Sequence, residues 1–293
     1  MSEPGRELSK RPLEVAALVI SVILGASAHA ETPRKPFRFV VYGGTEGDAP
    51  GHPAIVKQIV KVRPEVVLHA GGAVGRGAKA TRWKRFREVI APILAIASFY
   101  GCPGKGEGAP LIIPKPGCPK PEVRGHHYYS FDYRGVHFVA LDVNEPYDDK
   151  SAQTKWLAAD LAAAKGKPIV VLTHYAVFGA AERYILREAD LFWHPLFVRN
   201  RVAVVFSGAR HLYHRTSQDG VAYIITGGGG ALLNPVMARR QILPGDVAGS
   251  YHHFIEMTLE EDRLHGRVVD KEGRTRDEFF IPLPPGKKTH PDH

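Results

Sequence analysis

Two histidines that stand where short apolar strands run out are the first chemical clue in this 293-residue chain. In Pro168 to Tyr175 (PIVVLTHY), five apolar or β-branched residues from Ile169 to Thr173 lead to His174. The run is too short for a buried helix and reads as a buried strand. A second run, Val202 to Phe206, enters SGARH and sets His211 near a similar edge. Ligands of open α/β sheets sit beyond the carboxyl ends of the strands. An imidazole there can bind a ligand, hold a metal or carry a proton, but a hydrolytic metal needs at least three protein ligands. Glu46, Asp48 and His52 follow the first strand and could complete a site for one divalent metal, although their spacing matches no known ligand pattern. His69, at the end of the second strand, reads as a polar strand-end contact. The chain contains no GxSxG, P-loop or HExxH motif.

The elements that must position these groups alternate. Phe37 to Tyr42 reads as a strand stopping at Gly43-Gly44, His52 to Val62 as an amphipathic helix, and Val66 to His69 as a strand stopping before Gly71-Gly72. This repeated strand, glycine pair, loop and helix is the β-α-β signature of a layered α/β fold. A helix is expected from Ala80 to Val89, with Arg82, Lys84, Arg85 and Arg87 mostly on a solvated face and Trp83, Phe86 and Ile90 on the other. A third strand is expected over Ile93 to Ala97, and a long loop then runs to His126. Tyr128 to Tyr133 and Val136 to Leu141 flank Arg134-Gly135 as a hairpin. Ser151 is placed to cap a helix from Ala152 to Ala164. Further strands are expected over Val221 to Thr226, which ends in Gly227 to Gly230, and over Phe254 to Leu259, Arg263 to Val269 and Glu278 to Ile281.

Lys10 and Arg11, an apolar run from Val15 to Leu24, and Ala28-His29-Ala30 have the form of a secretory signal peptide cut after Ala30. The expected organisation is a leader over 1–30, one domain over 31–282 and a basic tail over 283–293, in a secreted or periplasmic protein. In that setting Cys102 and Cys118, the only two cysteines, are expected to form a disulfide. The formal net charge of +9 favours anionic partners such as envelope polymer, lipid or phosphorylated ligands. No nucleic-acid-binding module accompanies it, and no segment after the leader is long and apolar enough to span a bilayer. The sequence is silent on oligomeric state.

Taken together, the hairpin YYSFDYRGVHFVALD (Tyr128 to Asp142), QTKWLAADL (Gln153 to Leu161), VLTHY (Val171 to Tyr175), and FSGARHLYHR with GVAYIITGGGG (Phe206 to Gly230) resemble the calcineurin-like metallophosphoesterases, on the purple-acid-phosphatase side. The resemblance implies a β-sandwich flanked by helices, a four-layer α/β/β/α fold, with two metals at the strand ends that stabilise the attacking and leaving oxygens of a phosphoryl group. Carried over motif by motif, it puts Gly44 and Gly72 where two aspartates are expected. It also puts Lys105 and Gly106 in place of an asparagine and a histidine, and Ala209 in place of one of two closing histidines. His174 and His211 remain as the expected metal ligands.

Lys105 and Arg210 bring positive charge to loops that the resemblance directs to the same pocket, so that with His174 they could bind an anion without a metal. Their bland alternative is exposure to solvent. The expectation is therefore an exported protein of this fold that is a degenerate pseudoenzyme or anion-binding module, with no cofactor. One alternative is a weak phosphatase or phosphodiesterase using one divalent metal (Mn, Fe or Zn). The other is a cell-envelope interaction protein using the basic face from Arg82 to Arg87.

Overall fold

Alternation along β1 (Phe37–Tyr42) already divides the molecule into layers, because Phe39 and Val41 enter one core and Val40 and Tyr42 another. That two-residue period belongs to a strand buried on both faces. The computed structural model describes residues 36–46, 49–77, 79–125, 127–180, 185–186, 188–236 and 242–283. The leader over 1–30, Asp48 and the tail beyond residue 283 lie outside the described residues.

After β1 come α1 (His52–Val62), β2 (Val66–His69), α2 (Ala80–Ile96), β3 (Ser98–Gly101) and β4 (Ile112–Ile113). The hairpin of β5 (Tyr129–Tyr133) and β6 (Val136–Ala140) leads to α3 (Ala152–Ala163), β7 (Ile169–Leu172), α4 (Ala189–Phe192) and α5 (His194–Arg199). The chain continues through β8 (Val204–Ser207), β9 (Tyr213–Gln218), β10 (Val221–Thr226) and β11 (Val247–Gly249). It then forms β12 (His253–Leu259), β13 (Arg263–Asp270) and β14 (Thr275–Pro282). One sheet has the order β14-β13-β12-β1-β2-β3-β4 and the other β11-β9-β10-β8-β7-β6-β5.

Between the sheets lie Phe39, Leu68 and Tyr100 from one and Phe138, Leu172 and Phe206 from the other. Helices α1 and α2 cover the outer face of the first sheet through Ile55, Ile59, Phe86, Ile90 and Ile93. Helices α3 and α5 cover the second through Leu157, Leu161 and Phe197. This is the four-layer α/β/β/α sandwich. Strands β1, β2 and β3 are parallel, as are β6, β7, β8 and β10, so each sheet gathers several carboxyl ends on one edge.

Local chemistry explains the joints. Arg134 and Gly135 both have positive φ, 51° and 82°, the turn that matches the twist of a two-residue hairpin. The Ser151 hydroxyl accepts the Thr154 amide at 3.1 Å and caps α3. Elsewhere the structure departs from expectation. The third strand is Ser98–Gly101, and Ile93 to Ile96 belong to α2, which continues through Pro92. Phe86, Ile90 and Ile93 form one buried stripe, and that packing holds the helix past the proline. Strand β9 has the polar sequence YHRTSQ and is held by antiparallel pairing between β10 and β11.

The expected disulfide is also corrected, for both cysteines are free. The Cys102 thiol is buried just after β3, its pKa raised by burial and then by Glu107 and Asp142. Cys118 lies beside the Tyr133 hydroxyl. Hydrogen bonds pin the long loop instead: Tyr100 Oη to Pro119 O at 2.7 Å, the Lys115 amide to Ser98 Oγ at 2.9 Å, and the Gly101 amide to Leu111 O at 3.0 Å.

Candidate functional site

The carboxyl ends of the two sheets meet through the His174 ring and through the Gly229 amide, which donates to Gly43 O at 2.8 Å. Amides of Gly208 and Ala209, after β8, donate to His174 O at 3.1 and 2.9 Å, and His174 Nδ1 faces Ala70 O, after β2, at 3.3 Å. The Gly44 amide donates to Gly71 O at 3.0 Å, and those of Thr45 and Glu46 to Gly72 O at 2.8 Å each. Over this junction lies a cleft of about 510 Å³, whose lining includes Glu46, Arg76, Arg82, Lys105, His174 and His211. The structure thus brings together His174, His211, Lys105, Gly72 and Ala209, as the motifs suggested.

Both imidazoles are oriented by a carbonyl. Nδ1–H of His174 donates to Ala70 O, and Nδ1–H of His211 donates to Leu232 O at 2.9 Å. In each ring Nε2 is the nitrogen that is not bonded to that carbonyl. Nε2 of His211 is 3.6 Å from Glu46 Oε1. Burial pushes the pKa of His174 below its usual value, with Glu107 the largest opposing influence, so His174 is neutral at physiological pH.

Other residues depart from their expected places. Arg210 is buried, with Nη2 donating to Pro235 O at 3.4 Å, and the cations beside Lys105 in the cleft are instead Arg76 and Arg82. His52 is turned inward from α1, its Nε2 3.3 Å from the Tyr42 hydroxyl and its ring stacked on Phe86. His69 is fully buried, with Nε2 3.3 Å from Thr45 Oγ1. The glycine run after β10 packs against the β1 turn, with amides of Gly227, Gly229 and Ala231 bonded to Leu212, Gly43 and Gly44 carbonyls. Those donors are not available to a ligand.

Motif reading missed Glu107. Its buried carboxylate accepts the amides of Gly72, Val74, Gly75 and Gly104 at 3.2, 2.7, 2.7 and 2.9 Å. Such a ring of amides is an anion nest, and here the anion is the chain's own. It ties the loop after β3 to the loop after β2. Asn144 holds the same loop from the other side, accepting from the Gly106 amide at 2.9 Å and donating to Gly104 O at 3.1 Å. Lys105, at the tip between these anchors, reaches Val143 O at 3.5 Å. The sequence signal was its place at the end of Gly104-Lys105-Gly106-Glu107, the loop the resemblance aligns with a family motif, where Glu107 keeps the motif's glutamate but is given no role.

The two glycines that matter most have left-handed backbone, φ 68° at Gly44 and 71° at Gly72. A Cβ at Gly44 would stand 2.3 Å from Gly227 O, and one at Gly72 would stand 3.1 Å from His174 Cε1. Gly44→Asp is therefore expected to cost roughly 3 kcal/mol, from left-handed strain plus a backbone collision. Thermal unfolding checks this, and an unchanged Tm would show that the β1 turn moves freely. Among the described residues, no group of three or more His, Cys, Asp or Glu is placed to hold a metal ion.

A four-layer sandwich with a cleft where its parallel strands end is the architecture of a metallophosphoesterase. Purple acid phosphatase 18 of Arabidopsis thaliana is 26% identical over 212 residues, covering 66% of this chain and 48% of that protein. Purple acid phosphatase 22 of the same plant is 41% identical over 96 residues, covering 30% of this chain and 21% of its own length. The chain thus spans at most about half of these curated relatives. Among solved structures, the purple acid phosphatase PPD1 of yellow lupin superposes with a TM-score of 0.70 at 17% identity, over 85% of this chain and 54% of that one. GAP50, the anchor in the inner membrane complex of Plasmodium, gives 0.64 at 17% identity over 86% and 90%. A dimetal phosphatase from Danio rerio gives 0.58 at 13% identity over 85% and 100%. No family model matches. The fold is that of the calcineurin-like metallophosphoesterases, and over part of its length the chain is similar in sequence to purple acid phosphatases.

Proposed function

We propose that this chain is an exported protein of this fold that binds a phosphate-like anion and does not hydrolyse phosphoesters through two metals. The observation that carries this reading is the character of the cleft. Gly44 and Gly72 stand at the two positions where the resemblance calls for carboxylates, and Arg76, Arg82 and Lys105 contribute positive charge. These residues do not fit a two-metal centre. Glycine offers no side-chain ligand, His174 and His211 are too few, and fixed cations oppose a second positive charge. The same cations, with one neutral imidazole at His174, suit an oxyanion. Glu46 and Glu107 also line the cleft and oppose them, so its three cations exceed its two carboxylates by one, and Glu107 is turned towards four backbone amides. The anchoring role of Plasmodium GAP50 supports a use of this fold outside phosphatase chemistry.

The test is to offer the purified chain Mn, Fe and Zn, desalt it, and measure bound metal, aryl phosphate hydrolysis and calorimetric binding of inorganic phosphate. Expected are no metal-dependent turnover above background and phosphate binding that weakens tenfold or more in Lys105→Glu or Arg76→Glu, each removing a charge-assisted contact. One or two retained metals per chain, with turnover lost in His174→Ala, would restore the hydrolase reading. Loss in Glu46→Gln or Asp48→Asn as well would assign the third ligand of a one-metal site.

A further inference from the structure

Beside the cleft, a second depression of about 790 Å³ runs along α2, and Glu107 lines both. One wall is a stripe of that helix, Ala80, Trp83, Lys84, Arg87 and Glu88, and the other is the segment Ala109 to Leu111. The helix residues fall at i, i+3, i+4, i+7 and i+8, which is one face of an α-helix. This face differs from the one that Phe86, Ile90 and Ile93 bury against the sheet. Sequence periodicity grouped Trp83 with that buried face, but the structure leaves it half-buried at the boundary, its ring edge-on to Phe86 at 5.9 Å and lining the groove.

The basic residues of α2 divide by place. Arg82 faces the cleft, whereas Lys84 and Arg87 line the groove. Arg85 pairs with Glu88 at 3.5 Å, so the groove's acid is matched from within the helix. The cleft offers Arg76, Arg82 and Lys105, and the groove beside it an apolar floor of Trp83, Pro110 and Leu111 with Lys84 and Arg87 as cations and Glu88 and Glu107 as acids. A complementary ligand carries an anionic group for the cleft and an apolar and an anionic group for the groove. A mononucleotide could place its phosphate in the cleft and its base on Trp83, but it would leave Lys84 and Arg87 without a counter-charge. A peptide supplies all three features. Arg82 and Arg87 are five residues apart, about 7.5 Å along the axis and about 140° around it, so an extended segment has to cross the helix surface to reach both.

Resting on the anion-binding reading of the cleft, we infer that the groove is a peptide-docking surface. Its occupant is an extended acidic segment that places a phosphorylated side chain in the cleft, an apolar side chain on Trp83 and a carboxylate on Lys84 and Arg87.

The probe is a nonapeptide with phosphoserine, a leucine two residues away and two glutamates beyond it, made in both sequence directions. Calorimetry compares it with its unphosphorylated form, inorganic phosphate and adenosine monophosphate. Expected is at least tenfold tighter binding of one phosphopeptide than of phosphate, with salt weakening it. Lys84→Glu with Arg87→Glu should remove that gain and leave phosphate binding unchanged. Both residues lie on the groove side of α2, and Trp83→Ala provides an independent second variant. The inference is overturned if neither phosphopeptide exceeds phosphate, if the double variant binds it as well as the parent, or if adenosine monophosphate shows the larger Trp83-dependent gain. In those outcomes phosphate binding that depends on Lys105 still stands, whereas absence of phosphate binding removes both the cleft reading and this one.

Discussion

Glu107→Ala is expected to lower stability by about 3–5 kcal/mol, because it leaves several buried backbone donors unpaired at about 1–3 kcal/mol each. Four backbone amides converge on this carboxylate, and an alanine methyl satisfies none of them. Water could reach the Gly75 amide more readily than those of Gly72 and Gly104, which keeps the loss below the sum of four isolated bonds. Glu107→Gln should fall between, because its amide group presents a donor towards donors. Against a typical net stability of about 5–15 kcal/mol, the alanine variant loses a large fraction. Urea unfolding should show a lower midpoint at unchanged slope. A midpoint indistinguishable from the parent would mean that the loops after β2 and β3 are held by other contacts. The variant should also lose phosphate binding, since Lys105 depends on the same loop for its position.

Acidification from pH 7.5 to pH 4 is expected to remove about 6 kcal/mol of stability through two buried imidazoles alone. Burial lowers His52 to about 3 and His253 to about 4, from 6.5. His69, His174 and His214 are lowered as well, each first by burial. The unfolded chain takes up protons near pH 6.5 while the folded chain resists them. Stability is therefore complete above that pH and falls as pH drops towards the folded values. His137 runs the other way: burial alone would lower it, but Asp160 and Asp132 together outweigh burial and lift it above its usual value, so it partly offsets the loss at low pH. Asp132 and Asp270 are lowered by charged and backbone donors and add a further loss only below the usual carboxylate range. Fluorescence-monitored urea midpoints at pH 7.5, 6, 5 and 4 would follow this course. A flat profile down to pH 4 would show that the buried imidazoles gain water or counter-ions on protonation.

Much of the layered fold was legible before any coordinates because its strands are short, apolar and punctuated by glycine. β1, β2 and β10 have the expected bounds, for strands buried on both faces read as mostly apolar runs, interrupted in β1 by the exposed Arg38. Strand β9 was not legible, because its polar residues are held in the sheet by neighbouring backbone. The end of α2 was misplaced because Pro92 is a local stop signal that the buried stripe overrides.

The same division runs through the site. Residue type alone determined which side chains are missing: no carboxylate can arise from Gly44 or Gly72, and no imidazole from Ala209, wherever the chain goes. It also determined that His174 and His211 follow strands, since one closes an apolar run and the other comes five residues after one. Only the tertiary structure decided that Glu107 is spent on four amides, that Arg210 turns into the protein, and that Arg76 and Arg82 take its expected place beside Lys105. It likewise left both cysteines free and split the basic face of α2 between two depressions. The physical reason is range. A strand, a cap or an absent ligand is encoded by neighbours in the chain, whereas the direction of a long charged side chain is set by groups tens of residues away that only packing brings within hydrogen-bonding distance.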